Sequence, residues 1–187
     1  MNIEEFDDLS VLPQVFDIFR YPDERGVYSV LVQSNIIRKS VAEFPSIEQI
    51  NLIRTHKHSV RGFHGSNIEK NHWKIVTCIS GKVKDVILDV RRNSKTLGKI
   101  HSIELAEETH LCLLIPPGFA HAVEGLENIS EILYGTNITY NDNEEFEINP
   151  IDVRWKKIWN EEPILSARDK NAESFASFMS KLNSNRE

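Results

Sequence analysis

The sequence predicts an all-β sandwich or barrel with a short helix near its C-terminus. Short runs rich in β-branched and aromatic residues recur along the chain, turn residues separate them, and helical periodicity of any length appears only near the end. At 187 residues the chain suits one domain, since roughly 100–200 residues is usual, so residues 1–187 are read as a single unit.

The elements follow in order. Asp23-Glu24-Arg25-Gly26 reads as a turn entering a strand over residues 27–32. A short helix is expected over Ile36 to Glu43, stopped before Pro45. Residues 73–79 form the next strand and Ser80-Gly81 its turn. In residues 83–90, Val86, Leu88 and Val90 alternate onto one face, as a half-buried strand requires. Further strands are expected at 99–105, 111–115, 120–124 and 131–134. From Asp169 to Leu182, Phe175, Phe178, Met179 and Leu182 recur at helical spacing, which predicts one helix.

Hydrophobic residues make up 40% of the chain and charged residues 27%, an ordinary globular balance. The net charge of −6 argues against a nucleic-acid partner, which leaves a basic footprint. Arg91-Arg92 is read as a solvated strand end. The N-terminal stretch is acidic and no apolar run approaches the roughly 18 residues of a membrane helix, so a cytoplasmic protein without membrane contact is expected. Cys78 and Cys112 sit in apolar runs without metal or redox spacing and are read as buried thiols.

The chemistry concentrates in a few polar residues. Arg61-Gly62-Phe63-His64 is followed by Lys74, His121, Tyr134 and Asp169, each in or beside a strand-like segment or at the C-terminal helix. A His that takes a proton, a Tyr that gives one, a Lys that holds negative charge and an Asp that orients the His make an acid–base set. Pro116-Pro117-Gly118 forms a rigid turn that sets His121 at a strand start, and the Pro-x-Gly-x-x-His pattern resembles the second motif of the cupin, or jelly-roll, superfamily. Many cupins bind a metal through paired His ligands; here Ser66 stands where a His-x-His pair needs its second member. His64, Glu69 and His121 form a conceivable metal set, but a metal-free pocket is the preferred reading. His56, His58, His72, His101 and His110 are read as surface or strand-edge residues; His72, which shares a strand face with Lys74, is a secondary candidate for lining the pocket.

Seven segments in order resemble the dTDP-4-dehydrorhamnose 3,5-epimerase family, which acts on nucleotide-linked 4-keto sugars. They are residues 23–26, 61–64, Lys74, 81–92, 117–121, 131–134 and 165–169, within a likeness running from about Phe16 to Ala172. The resemblance implies a cupin-type jelly roll, a homodimer, a nucleotide-diphosphate sugar substrate and no cofactor or metal. It implies that His64 is the general base, Asp169 its hydrogen-bonding partner, Tyr134 the acid on the opposite face and Lys74 the cation at the enolate oxygen. It further implies substrate binding by Arg25 (reaching over from the partner subunit), Arg61 and His121. The chain departs from the family at Val27, at Gly65-Ser66-Asn67 and at Thr139-Tyr140. Tyr140 and Tyr28 are then the remaining candidates for contacts to the base, and a weakened thymidine preference is expected, with guanosine or cytidine as alternatives. Two other readings remain: a metal-dependent cupin oxygenase or isomerase, and a non-catalytic sugar-binding jelly roll.

Overall fold

The structure is a computed structural model, and it describes residues 12–66, 71–139, 145–155 and 157–184. Two five-stranded antiparallel sheets face each other. The first has the order β1 (Gln14–Asp17), β9 (Leu111–Ile115), β6 (Lys74–Ser80), β11 (Ile129–Thr136), β4 (Gln49–His56). The second has the order β12 (Glu145–Glu147), β5 (Val60–Ser66), β10 (Phe119–Gly125), β7 (Lys82–Asp89), β8 (Ile100–Ala106). A separate hairpin pairs β2 (Phe19–Asp23) with β3 (Gly26–Val30). Sheet neighbours that are distant in sequence are what a jelly roll requires.

Period-2 alternation sorts the side chains into three clusters. Val76, Cys78, Leu113, Ile115 and Ile132 of the first sheet meet Val83, Ile87, Leu105, Phe119 and Val123 of the second. The outer face of the second sheet carries Phe63, Val86, Leu88, Ala120 and Ala122, covered by Trp155, Trp159, Phe175 and Phe178. On the outer face of the first, Ile75, Cys112 and Leu114 pack against Ile37, Val41 and Phe44, in and just after α1 (Ser34–Ser40). Both thiols are buried, which pushes Cys78 up to about 11 and Cys112 up to about 12. They are inert core residues, as the sequence implied.

The expected single helix from Asp169 to Leu182 is two. Residues Ala167–Lys170 form α2 and Phe175–Ser184 form α3. Between them Glu173 is extended: it bridges Ile148 in parallel, and its carbonyl accepts from Asn149 N–H at 2.8 Å. The Asp152 carboxylate then receives Phe175 N–H, and Ser174 Oγ receives Ser177 N–H, starting α3 afresh. The apolar periodicity was real, but backbone bonding to the 148–152 segment overrode helix continuity. Arg91 is likewise no solvated strand end. It pairs with buried Asp89 at 2.8 Å and lies over the Phe119 ring. Ser94 and Thr96 hydroxyls also donate to Asp89, so this carboxylate organises the turn after β7. Among the described residues no helix is long and apolar enough to cross a membrane.

Candidate active site

A cavity of about 710 Å³ opens between the sheets, within the size range of sites for small molecules. His64, Arg61, His121 and Val123 line it from the second sheet, and Lys74, Val76, Ile132 and Tyr134 from the first. Ser166, Arg168 and Asp169 close one side. Five of the expected residues beyond Asp169 therefore converge: His64, Lys74, Tyr134, Arg61 and His121.

Strict alternation along β5 would put Arg61 and His64 on opposite faces. A bulge prevents this. Opposite β10, Val123 pairs with Arg61 and His121 pairs with His64, so two steps on one strand match three on the other. Gly62 absorbs the extra residue at φ +119, a backbone conformation that L side chains rarely adopt. Phe63 consequently turns outward into the Trp155 and Trp159 cluster, while Arg61 and His64 both face the cavity. A Cβ at Gly62 would lie 2.4 Å from the His121 carbonyl oxygen. We expect Gly62→Ala to lower stability by more than about 1 kcal/mol and to misplace both flanking side chains. Urea unfolding and turnover of the same preparation check this; an unchanged midpoint with full activity contradicts it.

Asp169 reaches His64 from far along the chain. The returning segment runs beside β5: Ser59 bridges Ile164 in parallel, and Val60 N–H donates to the Ile164 carbonyl. Ser166 then caps α2, accepting from Asp169 N–H at 3.0 Å and donating its hydroxyl to Asp169 Oδ2 at 2.8 Å. His64 Nε2 lies 2.7 Å from Asp169 Oδ1. Burial alone would raise the Asp169 carboxyl. Hydrogen bonds from His64, Ser166 and the Gly62 backbone more than offset it, so its pKa lies below the usual carboxylate value. An ionised carboxylate only accepts, so Nε2 carries a proton, and in the neutral ring the lone pair is then on Nδ1. That tautomer is the one a base needs.

His121 has a similar arrangement. Its Nδ1 lies 3.2 and 3.1 Å from the two oxygens of Asp85, a fully buried residue. Lys74 is buried, and burial holds its ammonium pKa below the ordinary value, against the opposing pull of Glu145 and Asp85. Its Nζ stands 3.8 Å from Glu145 Oε1 and makes no hydrogen bond among the described residues. Its N–H donors are thus left for a ligand oxygen.

Arg25 does not line the cavity of its own chain. It sits on the β2–β3 hairpin, 85% exposed and paired with Asp23 at 2.6 Å. Tyr140 and Glu69 lie outside the described residues. So the metal alternative rests on one undescribed ligand, and among the described residues no three His, Cys, Asp or Glu side chains cluster for a metal. His72 does not line the cavity; its Nδ1 bonds Ser66 Oγ.

Several lining residues were not anticipated from the sequence: Gln49, Asn51, Glu145, Ser166 and Arg168. Gln49 donates to Asn51 Oδ1 at 2.7 Å, and Asn51 Nδ2 is buried with no hydrogen-bond partner among the described residues. A buried donor left unpaired costs stability unless a ligand meets it. The polar–apolar alternation Gln49-Ile50-Asn51-Leu52 was the signal that would have found this strand.

Comparison with known proteins agrees with this geometry. The sequence model of the dTDP-4-dehydrorhamnose 3,5-epimerase family matches residues 12–177. The dTDP-4-dehydrorhamnose 3,5-epimerase of Shigella flexneri is 30% identical over 179 residues, covering 94% of this chain and 96% of its own. An epimerase from Legionella pneumophila, solved with dTDP-4-keto-L-rhamnose, superposes with a TM-score of 0.83 at 27% identity, over 91% of each chain. A 3'-monoepimerase from Streptomyces bikiniensis, solved with dTDP-quinovose, gives a TM-score of 0.84 at 26% identity, over 91% of this chain and 87% of its own. With a bulged strand presenting His64 to Asp169 and a family match spanning nearly all of the described fold, this chain belongs to the dTDP-4-dehydrorhamnose 3,5-epimerase family.

Proposed function

We propose that the protein inverts C3, C5 or both in a nucleoside-diphosphate 4-keto sugar, by proton removal and return through an enolate. One observation carries this reading: the candidate base and the candidate acid project into one cavity from opposite sheets. His64 comes from β5 of the second sheet and Tyr134 from β11 of the first. The cavity of about 710 Å³ between them leaves room for a sugar ring with a proton-transfer group on each side. Inversion needs that placement, because the proton leaves one face and returns to the other.

In this mechanism His64 Nδ1 removes the proton α to the ketone. The electron pair moves onto the carbonyl oxygen, and the Lys74 ammonium holds the resulting oxyanion. Lys74 is well placed for this: Thr136, two residues beyond Tyr134 on β11, pairs with Lys74 on β6. The Tyr134 hydroxyl then delivers a proton to the opposite face. His64 returns its proton to solvent and Tyr134 is reprotonated. C3 and C5 both flank the C4 carbonyl, so one oxyanion site serves either centre. His121, Arg61 and the Asn51 amide bind sugar and diphosphate.

The working form is a homodimer. Phe19, Tyr21, Val27 and Tyr28 on the hairpin are 43–69% exposed, and Ile50 and Leu52 on the outer face of β4 are 66% and 62% exposed. An apolar surface of this kind favours association. A second copy would cover it and bring Arg25 to the diphosphate at the cavity mouth. Relatives solved with dTDP-sugars make a dTDP-linked 4-keto sugar the first substrate to assay, with GDP and CDP sugars next.

The test is incubation of the protein with dTDP-4-keto-6-deoxyglucose in EDTA, read by proton NMR coupling constants. Epimerised product at undiminished rate is expected. Activity that collapses in chelator and returns with iron or zinc favours the metal-dependent reading.

A further inference from the structure

Lys74 is the group on which enolate formation depends, and its surroundings do not favour a charge. It is 8% exposed. Arg168 from α2 and Arg61 from β5 bring further positive charge to the same cavity, with His64 and His121 across from it and Tyr134 on the neighbouring strand. Two carboxylates act on Lys74 in the opposite sense. Asp85 from β7 is already engaged by His121 Nδ1. Glu145, from β12, lies 3.8 Å from Lys74 Nζ, with only 12% of its side chain exposed. Its other oxygen is 3.7 Å from Arg168 Nη2. The Glu145–Lys74 distance exceeds a hydrogen bond but not an ion pair. Glu145 therefore supplies negative charge without occupying the ammonium's N–H donors, which stay directed to a ligand.

We propose that Glu145 is a positioning residue for this reaction: it holds Lys74 as an ammonium ion with free donors, so that the cation is present when the oxyanion forms. The part concerning reaction rests on reading Lys74 as the cation at the enolate oxygen. The part concerning Lys74's charge does not. Without Glu145, desolvation and the Arg168 charge act on Lys74 with Asp85 as the remaining opposing carboxylate. Lys74 then loses its proton at lower pH.

Glu147 provides the control. It too pairs with Arg168, and it also lies on β12, but it does not line the cavity. The experiment follows the Cε resonance of Lys74 against pH in full-length protein labelled with 13C-lysine, assigned by its absence from Lys74→Met. Glu145→Gln should lower the Lys74 midpoint by about one unit or more. Glu145→Asp, which keeps the charge on a shorter arm, should lower it less, and Glu147→Gln, which removes a partner of Arg168 and not of Lys74, should lower it far less than Glu145→Gln does. The alkaline limb of kcat/KM should move with the midpoint in Glu145→Gln.

An unmoved midpoint in Glu145→Gln overturns the proposal. So does an equal fall in Glu147→Gln, which would mark a general effect of disturbing β12. A midpoint that falls while the alkaline limb stays put upholds Glu145 as the group that keeps Lys74 charged, but removes both residues from the enolate step.

Discussion

His64→Asn should lower turnover by about 10²–10⁴-fold, the usual contribution of a positioned general base, while the fold persists. The asparagine amide has no basic nitrogen and stops short of the Nε2 position, but Asp169 keeps its hydrogen bonds from Ser166 and the Gly62 backbone. His64 is 26% exposed by side chain and lies at the cavity wall, outside the three apolar clusters. Its loss should therefore leave the urea midpoint near that of the parent. Asp169 is the contrasting case: it is buried, and its carboxylate ties Ser166, His64 and the Gly62 backbone together. Steady-state kinetics with a denaturation curve on the same sample make the check. A His64→Asn protein that keeps most of its activity removes His64 from the base role.

Lys74→Met should cost about 10²–10³ in kcat, the typical loss when one donor to a developing oxyanion is removed. The same substitution should change stability little. It removes an ammonium that burial disfavours, and the carboxylate it leaves behind, Glu145, keeps Arg168 as a partner. Activity then falls without a matching loss of stability, which a packing role does not produce. A variant whose activity falls only in proportion to its folded fraction contradicts the assignment.

Much of this site was legible in the sequence. His64, Lys74, His121, Tyr134 and Asp169 each stood beside a recognisable turn, strand or helix signal, and strands such as residues 83–90 announced themselves by alternation. The remainder was not, for physical reasons. Nothing local shows that Arg61 and His64 share a face, since that depends on a bulge that exists only against β10. Glu145 sits in a three-residue strand, too short for periodicity to register, and becomes part of the site by pairing with β5. The extended break at Glu173 is stabilised by backbone bonds to Ile148 and Asn149, distant contacts that no helical pattern records. Strand β4 does alternate polar and apolar residues, but nothing local shows that its Gln49 and Asn51 face a cavity and not solvent.

The proton path itself is the most direct test. In heavy water, a nucleotide-linked 4-keto sugar should gain one deuterium at each carbon that is inverted, because in the proposed mechanism the proton taken by His64 goes to solvent and the proton given by Tyr134 comes from it. Tyr134→Phe should still exchange the α proton while forming little inverted product, since the proposed mechanism assigns removal and return to different groups on different sheets. Mass spectrometry of the sugar and NMR of its stereocentres report both quantities from one incubation. Deuterium at the inverted carbon, with exchange outrunning inversion in Tyr134→Phe, is the predicted result. Inverted product that carries no solvent deuterium would contradict proton transfer through an enolate.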